Sequence, residues 1–472
     1  MELMIPLKGR EGGPFYQQIY QFIKEEIRHG NLAPGERLPS TRVLAENLKV
    51  SRSTTQMAYE QLLSEGYIEA SPCRGYFVAE IEALVEVKEQ PSGSFVPREE
   101  EKKAGFAVDF SPRGIDLDSF PFNLWRKISR NILVDDNKAL FLNGDPQGEY
   151  ALRQAIGNYL HGARGVQCSP DQIIIGAGSE YLLMLLTLVL GRGKVIAMEN
   201  PTYKQAYRVL TSQGFQVFPV NMDRYGMNPG ELKALGGDGA DVAYIMPSHQ
   251  YPMGIVMSVK RRQELLAWAN SREGRYLIED DYDSEFRYKG KPVPALQGMD
   301  QKGRVIYMGT FSKSIAPAIR IGFMVLPKKL MEEYKRRAGF FSSTVSRLDQ
   351  NILYQFLTEG HYERHLNRMR SVYKAKHDCL LGGLKEFEQS FSVQGEHAGL
   401  HVLLTDRNKE RSEDELVESA AAQGAGVYGL SRYFIHPEHN PYPSTVLLGY
   451  ANLSGEEIKD GLRRLKAAWG IQ

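Results

Sequence analysis

The sequence predicts two folded parts of different kinds: a small helical head closed by a hairpin, then a large α/β body on a largely parallel sheet. Three observations predict this. Apolar residues recur at helical spacing in three segments between Phe15 and Leu63, and a strand–turn–strand pattern follows. Residues 81–108 turn charged, with Pro91-Ser92-Gly93-Ser94 and Glu99 to Lys103 inside, which reads as a linker. Beyond Asp109, apolar runs of strand length alternate with amphipathic segments, the order of βα units. A chain of 472 residues is also too long for one compact domain.

The head is read over residues 10–80. Phe15, Ile19, Phe22, Ile23 and Ile27 give a first helix ending at Gly30, and Asn31 to Gly35 is a turn. Ser40 is the expected N-cap of a helix containing Val43, Leu44 and Leu48. Ser51 is the expected N-cap of a helix containing Met57, Leu62 and Leu63, which stops at Gly66. Tyr67 to Ala70, a turn through Pro72 to Gly75, and Tyr76 to Val78 complete a two-stranded wing. Helix, helix-turn-helix, hairpin is the winged-helix order of DNA-binding modules. Small hydroxyls and backbone amides at a helix N-terminus suit phosphate oxygens, so Ser51, Ser53 and Thr54 are candidate contacts. Arg42, Arg52 and Thr54 are placed to reach base edges in the major groove, and Arg74 and Gly75 stand at the wing tip. The partner implied is a double-stranded DNA operator. Residues 1–80 hold nine Lys and Arg against ten Asp and Glu, so contact with DNA depends on local placement of charge.

In the body, strands are expected at Gln172–Ile175, Val195–Met198, Val242–Met246, Tyr276–Glu279 and Val305–Met308. The chemistry centres on Lys313. Thr310 and Ser312 flank it and Arg320 follows seven positions on, which is what an aldehyde cofactor carrying a phosphate requires. The amine forms a Schiff base, while hydroxyls and guanidinium hold the phosphate. Gly176-Ala177-Gly178-Ser179 ends an apolar run and opens a helix, a second element of a phosphate cradle. Asp280 follows an apolar strand and sits at its C-terminal end, where open α/β sheets place ligands.

Composition narrows the classes. Net charge is +1, no run of about 18 apolar residues exists, and Met1 to Phe15 carries Gly, Pro and charges where a signal peptide would be apolar. Cys73, Cys168 and Cys379 have neither metal spacing nor a disulfide pattern. A reduced, cytoplasmic protein with no metal site and no membrane partner is expected.

The strings LAPGERLPSTR, LAENLKVSRST and EGYI…RGYFV resemble the GntR family of bacterial regulators from Phe15 to Val78. From Asp109 onward the chain, with its Thr-Phe-Ser-Lys-x3-Pro-x2-Arg-x-Gly frame, resembles fold-type I (class I) aminotransferases, and the join is similar to regulators of the MocR/GabR type. The resemblance implies a pyridoxal 5'-phosphate-binding body over 109–472, with a large parallel-sheet domain and a smaller C-terminal α+β subdomain. It implies that Lys313 carries the cofactor as the internal aldimine. Asp280 would pair with the pyridinium nitrogen, Tyr282 with the phenolic oxygen, and Tyr203 would stack on the ring. Gly178, Ser179, Thr310, Ser312 and Arg320 would hold the phosphate. In Pro247–Gly254, Gln250 or His249 would replace the asparagine of ordinary members.

The strand Val446–Ala451 lacks the arginine that ordinary members use for the substrate carboxylate, so the resemblance points instead to Arg432. Where GABA-responsive members carry an arginine stands Gln205, with Lys204 beside it as a second candidate for effector binding. The implied function is a homodimeric regulator that senses an amino compound, or the cofactor itself, through external aldimine formation at Lys313. The alternative is an active aminotransferase with a fused DNA-binding head.

Overall fold

A computed structural model describes residues 3–8, 13–72, 74–80, 105–134, 138–235, 239–288 and 293–471. Residues 10–12 of the expected head, Cys73, and 81–104 of the expected linker lie outside them. The chain divides into two units, Met1–Lys102 and Lys103–Gln472.

The first unit contains α1 (Phe15–Arg28), α2 (Thr41–Leu48), α3 (Arg52–Ser64) and the antiparallel pair β1 (Ile68–Ser71) and β2 (Gly75–Val78). Ser40 and Ser51 are the N-caps of α2 and α3, accepting from Val43 N at 3.3 Å and Thr54 N at 3.2 Å. Ile19, Ile23, Leu44, Ala58, Tyr59 and Leu62 make the core. Two buried bonds fix α3 against α2: Thr55 donates to Thr41 O at 2.7 Å, and the Tyr59 hydroxyl donates to Pro39 O at 2.9 Å. Val43 and Met57 belong to the helical pattern but are 46% and 48% exposed. The stripe that α3 buries is Thr55, Ala58, Tyr59 and Leu62, which leaves Met57 and the first turn facing solvent.

The second unit opens with β3 (Val108–Asp109), α4 (Phe122–Val134) and α5 (Tyr150–Arg164). The large sheet and its helices follow: β4 (Ile173–Gly176), α6 (Ser179–Leu190), β5 (Val195–Asn200), α7 (Lys204–Ser212), β6 (Gln216–Asp223), β7 (Gly226–Met227), α8 (Pro229–Ala234), β8 (Val242–Ile245), α9 (Val259–Asn270), β9 (Tyr276–Asp281), β10 (Val305–Thr310) and β11 (Gly322–Val325). Strand order is β4-β11-β10-β9-β8-β5-β6-β7. The run from β10 through β6 is parallel, while β11 lies antiparallel to both β10 and β4, and β7 folds back on β6. β11 lies antiparallel to β10 because only residues 311–321 separate them, short of the dozen or more that a parallel crossover needs. Both faces are covered, so β4, β8 and β9 are buried along their whole length.

The remainder is α10 (Lys328–Arg337), α11 (Arg347–Thr358), the long α12 (His361–Leu384), β12 (Phe391–Gln394), β13 (His401–Asp406), α13 (Glu413–Ala422), β14 (Ala425–Gly426), β15 (Tyr428–Gly429), β16 (Thr445–Gly449) and α14 (Gly455–Trp469). Here β12-β13-β16-β15 form an antiparallel sheet, the smaller α+β subdomain, with its own core around Phe387, Val402, Leu448 and Leu465. β3 pairs in parallel with β14, which stitches the first residues of the body into this C-terminal part.

Candidate functional site

The parallel strands end on one edge of the large sheet, and the candidate residues collect there. Thr310, the last residue of β10, faces Gly322 on β11, which in turn faces Gly176 on β4. Thr310 Oγ1 donates to Ser312 Oγ at 2.9 Å and accepts from Ser312 N at 3.2 Å. Gly178 caps α6 with φ 86°, and a Cβ on it would stand 3.0 Å from Arg320 Nη2. Ser179 begins the helix, so its amides and the positive end of its dipole face the same place. Arg320 holds the left-handed conformation, φ 53°, at a cost of about 1–3 kcal/mol that is usual at ligand clamps. Its Nη2 donates to Ala177 O at 3.0 Å and Glu180 Oε2 at 3.2 Å, and Glu180 Oε1 accepts from the Tyr203 hydroxyl at 3.2 Å.

Lys313 is half-buried, with Nζ donating to Pro112 O at 3.1 Å. Burial lowers its amine to about 8, with the like charge of Arg113 adding to the effect and Asp283 opposing it. The three neighbouring aspartates separate by face. Asp281 accepts from Arg164 Nε at 2.9 Å and from the Tyr307 hydroxyl, and Asp283 lies 2.9–3.0 Å from His249 Nδ1. Asp280 receives the hydroxyl of Tyr244, and burial raises its carboxyl to about 7. Tyr244 belongs to the core cluster against which Tyr203 packs, so Asp280 lies on the Tyr203 side of the sheet.

The other candidates are placed as follows. Tyr282 puts its hydroxyl 2.9 Å from His249 Nδ1, while His249 Nε2 is buried without a partner. Gln250 is fully engaged by its own turn: Nε2 donates to Pro201 O and Tyr251 O, both at 2.8 Å, and Oε1 accepts from Met253 N at 3.0 Å. The Tyr203 ring lies 6.4 Å from the Tyr251 ring. Lys204 is directed to the carbonyls of Phe434 and, at 3.0 Å, Ile435, so it holds the loop that carries Arg432. Arg432 itself is exposed on a short 3-10 turn, Leu430–Tyr433.

Sequence reasoning missed Arg113, Tyr244, Tyr251 and Tyr433. The hydroxyls of Tyr251 and Tyr433 bond at 3.1 Å, and the charge of Arg113 falls on both. The only available signal for Arg113 was an arginine in a Pro-Arg-Gly turn at the start of the body.

In the head, Arg52, Ser53 and Met57 are exposed on α3, and the Ser51 hydroxyl lies 2.8 Å from Ser53 Oγ and from Thr54 Oγ1. Arg42 pairs with Glu46 at 3.1 Å on the surface. At the wing, the Arg74 guanidinium lies 5.6 Å over the Phe77 ring. Arg37, not anticipated, bridges to Phe77, and its Nε would lie 3.6 Å from a Cβ at Gly75. No helix among the described residues is long and apolar enough to cross a membrane, and no group of metal-ligating side chains gathers among them.

A winged-helix head and an α/β body with a lysine at its strand ends define a transcription regulator with an aminotransferase-type domain. The family model for aminotransferase class I and II matches residues 117–465, and that for bacterial regulatory proteins of the gntR family matches 15–78. The chain is 42% identical to the uncharacterized HTH-type transcriptional regulator YhdI of Bacillus subtilis (strain 168), over 99% of this chain and 98% of that one. It is 32% identical to the probable rhizopine catabolism regulatory protein MocR of Rhizobium meliloti, over 97% and 94%. Among solved structures, Pyrococcus horikoshii kynurenine aminotransferase superposes with a TM-score of 0.68 at 26% identity, over 76% of this chain and 90% of that one. The chain belongs to the family of MocR-type helix-turn-helix transcriptional regulators, which carry a class I aminotransferase domain.

Proposed function

We propose that the body binds pyridoxal 5'-phosphate and uses it to sense an amino compound, and that ligand capture there alters operator binding by the head. The observation that carries this is the convergence of Lys313, Asp280, Tyr203 and the Gly178–Arg320 cradle on one edge of the sheet. The residues fit the cofactor. At Gly178 a Cβ would crowd the Arg320 guanidinium at 3.0 Å and φ is 86°, the cradle offers helix amides, three hydroxyls and a guanidinium, and the buried Asp280 lies on the Tyr203 side. Bound there, the cofactor supplies an aldehyde carbon that condenses with amines and a ring that withdraws electrons.

Asp280 supplies a carboxylate that ionises once a cationic ring nitrogen faces it. Lys313, with its pKa lowered to about 8, supplies a larger neutral fraction near neutral pH than an ordinary lysine does. Because the Gln250 amide is engaged, we assign the phenolic-oxygen contact to Tyr282, with His249 behind it. Arg432 is assigned to the effector carboxylate, and Lys204 to holding its loop. In the head, Arg52, Ser53 and Thr54 enter the major groove, and Arg37 and Arg74 meet the backbone beside the wing. The second copy of a homodimer is assigned to the exposed Phe141, Leu142 and Phe340.

The test is an absorbance titration of the purified chain with amino acids, amines and free pyridoxal phosphate. A stable spectral change with one ligand and no keto-acid product is expected. Steady keto-acid release would identify a working aminotransferase instead.

A further inference from the structure

The face of β16 that carries Leu447 and Gly449 is closed in this chain. Leu447 on that face is buried with Leu403, Leu430 and Phe434. Gly449, two residues on and therefore on the same face, has no room for a side chain. A Cβ there would stand 2.2 Å from Ser111 O and 2.5 Å from Pro112 Cα. The obstruction is the backbone that begins the body. Gly449 N donates to Phe110 O at 2.8 Å, and Pro112 O accepts from Lys313 Nζ at 3.1 Å. Residues 110–112 thus cross from the end of β16 to the lysine, and the next residue is Arg113. Its side chain is exposed, and its charge reaches Lys313 and the hydroxyls of Tyr203, Tyr251 and Tyr433. Arg432 stands on the turn Leu430–Tyr433, which is tied to the same region because Thr202 N donates to Tyr433 O at 3.0 Å and the Tyr251 hydroxyl donates to that of Tyr433 at 3.1 Å. Two short segments, residues 110–113 and Leu430–Tyr433, thus bring one arginine each to this edge of the site.

We infer that Arg113 takes the carboxylate nearest the ligand amine, in place of the absent strand arginine, and that Arg432 takes a second anionic group. The preferred effector is then an α-amino acid with a further anion at its far end. The argument is one of reach. In an α-amino acid a single carbon separates amine from carboxylate, so the cation that holds this carboxylate must lie beside Lys313, and Arg113 is one residue from the carbonyl that Lys313 contacts. A planar guanidinium matches a carboxylate with two parallel hydrogen bonds. A second guanidinium, on the Leu430–Tyr433 turn, has nothing to bind in alanine, but it can meet the distal group of a dicarboxylate.

The inference rests on the proposed cofactor site, and the experiment separates the two. Cofactor-loaded wild type, Arg113→Ala, Arg113→Lys and Arg432→Ala are titrated with L-glutamate, L-alanine and 4-aminobutyrate, by absorbance and by calorimetry. Wild type should prefer L-glutamate. Arg113→Ala should keep the cofactor band yet bind both L-glutamate and L-alanine roughly ten- to a hundredfold more weakly, the range for a charged hydrogen bond, with partial recovery in Arg113→Lys. Arg432→Ala should lose only the preference for L-glutamate over L-alanine. An Arg113→Ala protein that binds both amino acids as wild type does overturns the inference alone. A wild type that takes up no cofactor overturns the reading beneath it as well.

Discussion

The lowered pKa of Lys313 makes a quantitative prediction about cofactor uptake. Only the neutral amine attacks an aldehyde. With a pKa of about 8 against the ordinary lysine value of 10.5, the neutral fraction at pH 7 is about 9% rather than about 0.03%, a gain of roughly 300-fold. The sign follows directly: the group loses its proton as pH rises, so uptake by apo-protein should climb tenfold per pH unit below about 8 and level above it. The assay is stopped-flow growth of the visible band after mixing with pyridoxal phosphate. Rates with a simple amine in the same buffers remove the titration of the cofactor itself. Two variants move the bend in opposite directions. Removing Arg113 takes away a like charge and shifts it upward, while Asp283→Asn takes away an opposing charge and shifts it downward. A rate that keeps rising tenfold per unit up to about pH 10 would refute the reasoning, because it would show an ordinary, solvated amine.

Two further predictions concern the frame and the head. Arg164→Ala should destabilise the body by about 3–5 kcal/mol in guanidinium unfolding, because it leaves the buried Asp281 charge without its ion-pair partner; a loss under about 1 kcal/mol would mean that Tyr307 alone suffices for Asp281. Arg52→Ala should weaken specific operator binding by about 1–3 kcal/mol in fluorescence anisotropy, and unchanged affinity would remove α3 from the groove.

The order of elements and the lysine frame were legible in the sequence because both are local. Caps at Ser40 and Ser51, the five expected strands and the spacing from Thr310 to Gly322 are properties of neighbouring residues. What was not legible is where side chains turn once distant segments meet. Lys204 and Gln250 look available in sequence, yet folding commits one to the carbonyls of Phe434 and Ile435 and the other to its own turn. Choosing among Asp280, Asp281 and Asp283 needs to know which face of β9 meets Arg164 and which meets Tyr244. Arg113 was invisible for the same reason: its neighbour Pro112 meets Lys313 across 201 positions of chain.

The pairing of β3 with β14 bears on how firmly the start of the body is held. Val108 N and Phe110 N donate to the carbonyls of Gly424 and Gly426 at 3.1 and 2.9 Å, so the chain is clamped just ahead of Ser111 and Arg113. A clamp in that position removes slack: a pull applied at Arg113 cannot be absorbed by sliding the residues before it. It is delivered to the small α+β subdomain as a whole. Loosening the clamp would therefore let residues 108–113 move independently of the strand that Gly449 ends.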